Sequence, residues 1–532
     1  MGVYLNAGNE KFRQAANSEI YVDKSGLIAY TNQVINTADK YICVSRPRRF
    51  GKTMAADMLT AYYSKGCDSK ELFSSLLASQ GRDFEKHRNQ YHTISLNMQD
   101  FLSRSKSIPA LLQRVNLLLM RELKALYPQV DYFDDTDFIE SMQDAYASHG
   151  CHFIFIIDEW DCIFREYKYK KEAQNAYLSF LRDLLKDKGC ISLVYMTGIL
   201  PIKKYGTHSA LNMFDEFSMI EPGPLASYVG FTEVEVGMLC ERYQMKMDEV
   251  KNWYDGYSFE SPSQNVRQQV SISIYNPRSV ISCMRLGKIG NYWNQTESFE
   301  ALRGYIDMNF DGLKSSVLRM IAGESVPVNT ESFSNDMKTL QTKDDVLTLL
   351  LHLGYLGYHS LEKNVFIPNN EIRAEYVNAV SLSDWGRVSD ALKHSTDLLE
   401  AIWQGRADLI AKGIELAHFE TSHLQYNDEN ALSYTISLAL YAAGNFYTVH
   451  REFAGGKGFA DLVFLPRRNF MDKPAIVVEL KWNHSAIGAL EQIKKKEYCQ
   501  SLEEYQGKLL LVGINYDRKT KEHTCKIEAY QK

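Results

Sequence analysis

Three stretches of this sequence carry residue types that could do chemistry. The first is Ser45-Arg46-Pro47-Arg48-Arg49-Phe50-Gly51-Lys52-Thr53. Gly51 would let the backbone approach an anion, and a helix opening at Lys52 would aim unsatisfied N–H groups and its positive dipole end at it. Lys52 would then reach the β- and γ-phosphates of a nucleotide, with the Thr53 hydroxyl as a ligand to Mg²⁺. The second is Asp158-Glu159, two acids that end the apolar run Phe153–Ile157. Burying a carboxylate there is costly without a metal or hydrogen bonds to compensate. Asp158 on Mg²⁺ and Glu159 polarising the attacking water would give both acids a role. Thr197, in VYMTG, is placed like a polar sensor of the γ-phosphate. The third comprises Asp461 in FADLVFL and Glu479-Leu480-Lys481 in AIVVELKW. Two carboxylates would hold Mg²⁺ together with water and a phosphate oxygen, and Lys481 would orient or deprotonate the water.

The elements that must position these groups follow from the hydrophobic pattern. YICVS (41–45), HTISLN (92–97), FIFII (153–157) and ISLVYMTG (191–198) read as strands, separated by helical patterns at 52–64, 109–126, 136–148 and 172–187. Continuous apolar strands alternating with helices predict a parallel sheet covered on both faces. The P-loop lies where it must, between strand and helix, but it is incomplete: Arg46 replaces the first glycine of G-x-x-x-x-G-K-[ST], and Pro47 removes an N–H. From Phe231 to the mid-390s the pattern is mainly helical, with 259–270 predicted as a loop. After about residue 396, helical segments lead to strands at 447–453, 459–465 and 475–482, a helix at 486–500, and strands at 508–514 and 525–530. Alternation along the third of these strands puts Glu479 and Lys481 on one face, within reach of Asp461 on its neighbour.

Composition narrows the classes. A chain of 532 residues exceeds one core. Its net charge of -6 offers nucleic acid no global attraction, so any such contact requires a local basic surface. Nine cysteines without a C-x-x-C pair indicate neither a zinc site nor a disulfide framework, and fit a reducing compartment. No signal peptide or membrane-length apolar run is visible, so the expectation is a soluble, cytoplasmic protein without membrane contact.

The segments YVDKSGLI (21–28), RPRRFGKT (46–53), IIDEWD (156–161), YMTGILP (195–201), GFTEVEV (230–236), WYDGYSF (253–259) and YNPRSV (275–280) extend the pattern. Through them the chain resembles the predicted AAA-ATPase-like proteins that carry a C-terminal PD-(D/E)XK nuclease domain. The resemblance covers almost the whole chain, and in that family an R-F-G-K-[ST] loop replaces the regular P-loop. It implies ATP and Mg²⁺ at Gly51, Lys52, Thr53, Asp158 and Glu159, with Arg49 and Phe50 among the nucleotide-binding positions. Arg46, Arg48 and Arg49 could contact phosphate or pair with neighbouring acids. In the C-terminal part, the order of Glu429, Asp461, Glu479-x-Lys481, Gln492 and Tyr498 is similar to the family's nuclease domain. Ala460 stands where a proline usually precedes the Asp. Glu429 then becomes a third, weaker metal ligand, and Gln492 and Tyr498 supporting groups. Lys494, Lys495 and Lys496 could meet phosphates, although a solvated face is the commoner meaning of such a run.

The expected architecture is α/β. A P-loop NTPase core (1–228), a helical lid (229–300) and a mainly helical linker (301–395) precede a restriction-endonuclease-like domain (396–532). The expected function is ATP hydrolysis controlling a Mg²⁺-dependent nuclease, with DNA favoured as substrate. The alternative is a nucleotide-dependent signalling or scaffold switch that binds nucleic acid or protein without cutting. Homo-oligomerisation stays open, with Arg278 an arginine-finger candidate by position only.

Overall fold

The computed structural model describes the chain except residues 1, 168–169, 203–209, 263–268, 294–298, 309, 332, 334–339, 383–393, 422–431, 433–434, 438, 456, 468–469, 499–501, 503–504, 506–507 and 531–532. It divides into two compact units, residues 1–296 with 327–372, and residues 297–326 with 373–532.

The first unit is built on a parallel sheet of β1 (Tyr41–Ser45), β2 (His92–Asn97), β3 (Phe153–Asp158), β4 (Ile191–Gly198) and β5 (Asp215–Phe217), in the order β2-β3-β4-β1-β5. Every residue of β1, β3 and β4 is buried, which is why these strands read as unbroken apolar runs. The order separates β1 from β3 by β4, so three C-terminal strand ends converge where the chain changes direction across the sheet. Helix α1 (Lys52–Tyr63) starts at Gly51, whose φ of 94° a side chain would resist. Local chemistry sets other boundaries: Ser107 and Asp137 accept from Ala110 and Ile139 N–H to start two helices, and Gly150 ends the second in the left-handed region.

Beyond the sheet, Thr232 and Glu235 form a capping box on the helix Glu233–Tyr243, followed by helices Met247–Tyr254 and Pro277–Leu286. The loop predicted at 259–270 is narrowed at its two ends, which are strand, while residues 263–268 lie outside the described residues. Strands β6 (Phe231–Thr232), β7 (Tyr257–Pro262) and β8 (Gln269–Tyr275) form an antiparallel sheet in the order β6-β8-β7. The signal for it lies in QVSISIY, where Val270, Ile272 and Ile274 alternate with polar residues at the strand period. The rest of the unit includes the helix Lys343–Leu353 and a hairpin of β9 (Gly357–His359) and β10 (Asn364–Phe366). The buried Glu371 carboxylate accepts from Ser279 Oγ (2.8 Å), Tyr292 N (2.7 Å) and Trp293 N (3.0 Å).

The second unit carries a mixed sheet of β11 (Tyr447–Gly455), β12 (Gly458–Pro466), β13 (Ala475–Trp482), β14 (Leu509–Asp517) and β15 (Glu522–Ala529), paired in that order. Strands β13 and β14 run parallel, and the other neighbours pair antiparallel. One face packs Leu462, Phe464, Ile476, Val478, Leu480 and Ile514 with residues of the helices Ser395–Trp403 and Ala407–Thr421. On the other face Val463, Ala475, Val477 and Leu511 meet Leu490 and Ile493 of helix α2 (Ala486–Lys495). Gly513 permits this approach, since a Cβ there would strike the Ala486 carbonyl and come within 3.0 Å of Ala489 Cβ. Among the helical segments expected after residue 396, residues 427–431, 433–434 and 438 lie outside the described residues.

Candidate functional site

The nucleotide-site candidates meet at the C-terminal edge of the parallel sheet. Asp158, buried at the end of β3, is the hub. Its Oδ2 accepts from Thr53 Oγ1 at 2.7 Å and from Asn97 Nδ2 at 3.1 Å, and its Oδ1 accepts from Thr197 Oγ1. The hydroxyls of Thr53 and Thr197 and the amide of Asn97 thus supply the hydrogen bonds that a buried carboxylate requires. Lys52 is buried, and its Nζ donates to the carbonyls of Arg46 (3.0 Å) and Pro47 (2.9 Å), closing the loop on itself. Burial lowers the Lys52 pKa, while Glu159, Asp158 and Asp161 act in the opposite direction. Glu159 has a left-handed backbone, φ 55°, and its carboxylate pairs with Arg165.

Arg46, which occupies the position of the missing glycine, is fully buried. Its Nη1 donates to the carbonyls of Ser45 (3.0 Å), Phe217 (2.9 Å) and Ser218 (2.7 Å), and its guanidinium lies 4.8 Å from the Phe259 ring centroid. Burial lowers its pKa to about 9. In the structure the side chain ties the loop to the end of β5. Arg49 adopts φ 66° beside Phe50, which packs edge-on against Tyr257. Arg278 is exposed in the first turn of its helix.

A cleft opens beside Gly51. Phe12, Tyr21, Tyr228, Phe231 and Ile281 form much of its apolar wall. Lys24 on the rim donates to both Glu235 carboxylate oxygens (2.7 and 2.6 Å) and to the Ser227 carbonyl (2.7 Å). A mostly apolar cleft of this kind suits a planar heterocycle. Neither these residues nor Asn97 stand out as functional in the sequence. The one available signal is that YVDKSGLI and GFTEVEV belong to the segments carrying the family resemblance.

The C-terminal candidates are local by comparison. The antiparallel register ends at Leu462↔Val478; just beyond it Asp461 lies beside Glu479-Leu480, and alternation puts Glu479 on the face covered by α2. Glu479 is buried, and its Oε1 accepts from Lys481 Nζ at 3.1 Å and from Gln492 Nε2. Asp461 Oδ2 accepts from Leu480 N at 2.7 Å. Gln492 also donates to Tyr498 Oη at 3.4 Å. Tyr498 packs against Gly455 and Gly458, where an added Cβ would come within 3.0 or 3.3 Å of it. Lys494 pairs with Glu528, the behaviour of a solvated face.

The donor chemistry fits hard cations. Asp158 with the Thr53 hydroxyl suits Mg²⁺, which keeps waters and takes further oxygens from phosphate. Asp461 and Glu479 supply two carboxylates, the oxygen set that Mg²⁺ prefers. Among the described residues no group of three or more His, Cys, Asp and Glu is placed to hold a metal, and Glu429 lies outside those residues.

Residues 7–207 match the predicted AAA-ATPase family model, and residues 429–525 match a model of the PD-(D/E)XK nuclease superfamily. The uncharacterized protein of the vnfD 5′ region of Azotobacter chroococcum mcd 1 is 24% identical over 285 residues. That match takes in 52% of this chain, and the chain spans about half (50%) of the length of that curated relative. Among solved structures, a Walker-type ATPase of Pyrococcus abyssi aligns with a TM-score of 0.33 at 11% identity, over 66% of this chain and 94% of its own. The ORC2 protein of Aeropyrum pernix, in ADPNP–ADP complexes, aligns at 0.30 and 13% identity, over 69% and 97%.

Proposed function

We propose that this chain, which joins an AAA-ATPase-like domain to a C-terminal PD-(D/E)XK nuclease-superfamily domain, uses ATP hydrolysis to control Mg²⁺-dependent cleavage of nucleic acid, with DNA the favoured substrate. The observation that carries the first half is the convergence of Thr53, Asn97 and Thr197 on Asp158. Lys52 would exchange its two loop carbonyls for phosphate oxygens while Arg46 keeps the loop anchored. Thr53 and Asp158 would hold Mg²⁺, which neutralises charge on the β- and γ-phosphates. Glu159 would polarise the attacking water, Thr197 would register the γ-phosphate, and the apolar cleft would take the base.

In the second half, Asp461 and Glu479 would hold Mg²⁺, which supplies Lewis acidity at the scissile phosphate. Lys481 orients or deprotonates the water, and Gln492 fixes Glu479 for its ligand role. Coupling between the halves is supported by the chain path, which passes between the two units at 296/297, 326/327 and 372/373. ATP-driven rearrangement of one unit can therefore reach the other through three covalent connections.

The net charge of -6 and the Lys494–Glu528 pair favour a second reading, a nucleotide-dependent switch whose C-terminal domain binds without cutting. The deciding experiment is metal-dependent cleavage of plasmid and single-stranded DNA, with and without ATP, by wild type, Lys481→Ala and Lys52→Ala. Cleavage that disappears in Lys481→Ala and depends on ATP and Lys52 supports control of a nuclease. ATP hydrolysis without cleavage under any metal condition selects the switch.

A further inference from the structure

Arg165 lies in the short helix Cys162–Glu166 that follows the two acids ending β3. Its guanidinium is largely buried and faces two carboxylates. One nitrogen, Nη2, pairs with Glu159 Oε2, and Nε lies 3.2 Å from Asp161 Oδ2. Asp161 is fully buried, and its Oδ2 accepts from the N–H groups of Ile199 (3.2 Å) and Leu200 (2.9 Å). Those residues directly follow Thr197-Gly198 at the end of β4. Trp160 N also donates to the Thr197 carbonyl at 3.0 Å, and Gly198 is free of the Cβ that would come within 2.6 Å of the Trp160 ring. A continuous chain of polar contacts therefore runs from the turn after Thr197, through Asp161 and Arg165, to the Glu159 carboxylate.

Neutralising Asp161 would need only one contact from the arginine. The second is spent on Glu159, a residue whose left-handed backbone, φ 55°, already restricts where its side chain can go. Holding one carboxylate oxygen by a charge-assisted bond restricts where the other can point. We propose that Arg165 is the positioning residue for Glu159, fixing the carboxylate that polarises water and tying its place, through Asp161, to the strand end that carries Thr197. This rests on the assignment of Glu159 above.

The test is steady-state ATP hydrolysis by the full chain, comparing wild type, Arg165→Ala, Arg165→Lys, Glu159→Gln and the Arg165→Ala/Glu159→Gln double variant, with single-turnover rates for the slow ones. Misplacing a reacting group by an ångström costs about one to two orders of magnitude. Arg165→Ala should therefore lower kcat by at least about tenfold with KM for ATP within about twofold of wild type. Arg165→Lys should recover part of the rate, and the double variant should be no slower than Glu159→Gln alone. Should Arg165→Ala melt early, the Arg165→Lys and Glu159→Gln cycle carries the same comparison. Unchanged or raised kcat, a loss confined to KM, or a double variant slower than Glu159→Gln each overturn the inference. A wild type without Lys52-dependent hydrolysis overturns the nucleotide reading and this inference with it.

Discussion

The two candidate sites are assembled in opposite ways. The candidate nucleotide site draws Lys52 and Thr53, Asn97, Asp158 to Arg165, and Thr197 from the C-terminal ends of separate strands of a parallel sheet and the helices that follow them. Neighbouring strands there are joined only by long crossovers. The nuclease-like site draws Asp461, Glu479, Lys481 and Gln492 from an antiparallel strand pair and the helix that follows. A site at the edge of a parallel sheet is necessarily distributed, because no two adjacent strand ends are close in sequence. An antiparallel pair brings residues a few positions either side of one connection face to face. The first kind depends on the integrity of a whole domain, and the second on one register.

The sharpest way to break this comparison is to disable each site alone. Lys52→Ala should reduce ATP hydrolysis by about a thousandfold, as loss of a transition-state cation does. Lys481→Ala should reduce metal-dependent cleavage by a similar factor and leave ATP hydrolysis intact. Parallel ATPase and plasmid-cleavage assays check both, and loss of both activities in Lys481→Ala would show that the two sites are not separable.

The dependence of the first site on its whole sheet can be tested with acid. His92 begins β2, the strand that ends at Asn97, and is buried between Asn6 Nδ2 on Nδ1 (3.0 Å) and Tyr127 Oη on Nε2 (2.6 Å). Burial, with Lys65 adding to it, lowers its pKa to about 4. The folded state therefore excludes a proton that the unfolded chain takes up near its ordinary value. Stability from this group is full above about pH 6.5 and falls as the pH drops toward 4, by up to about 3 kcal/mol. Urea midpoints measured from about pH 7 to 4 should fall for wild type, and fall less steeply for His92→Gln.

Smaller effects sharpen the contrast at the level of supporting groups. Asn97 holds Asp158 from a neighbouring strand and also caps the helix Met98–Ser103 by accepting from Asp100 N at 3.1 Å. Asn97→Ala should cost about 1 kcal/mol of stability from the cap and about tenfold in ATP turnover. Gln492→Ala should lower cleavage by about tenfold with little change in melting temperature, since α2 keeps its apolar contacts. Thermal melts beside the two activity assays separate these outcomes.

The same contrast governs what is legible in the sequence. Glu479 and Lys481 are legible as a pair because a strand alternates, and Asp461 because packing alone gives no reason to bury a charge inside an apolar strand. Gln492 and Tyr498 enter through the order of a family pattern, and Glu429, which enters the same way, lies outside the described residues. Lys52, Thr53, Asp158 and Thr197 are legible as strand ends and a helix start. Asn97 and Arg165 are not, because an amide at a strand end and an arginine in a short helix are ordinary in sequence. The loop expected at 259–270 is too wide at both ends, which are strand, because Ser, Pro, Gln and Asn outweigh the alternation in QVSISIY; residues 263–268 lie outside the described residues.

By itself, the sequence determined strands β1 to β4 and β11 to β15, the helix opening at Lys52, the face shared by Glu479 and Lys481, and the polar groups that need a partner when buried. Those properties follow from periodicities of about 3.6 and 2 residues and from the cost of burying charge, all of which act over a few residues. Only the tertiary structure decided the strand order β2-β3-β4-β1-β5, which lets Thr53, Asn97 and Thr197 meet on Asp158. It alone turned Arg46 inward onto the end of β5, built the cleft beside Gly51, and joined Arg165 to both Glu159 and Asp161. Most of these contacts join segments far apart in the chain, and all are set by how layers and turns pack rather than by any local preference.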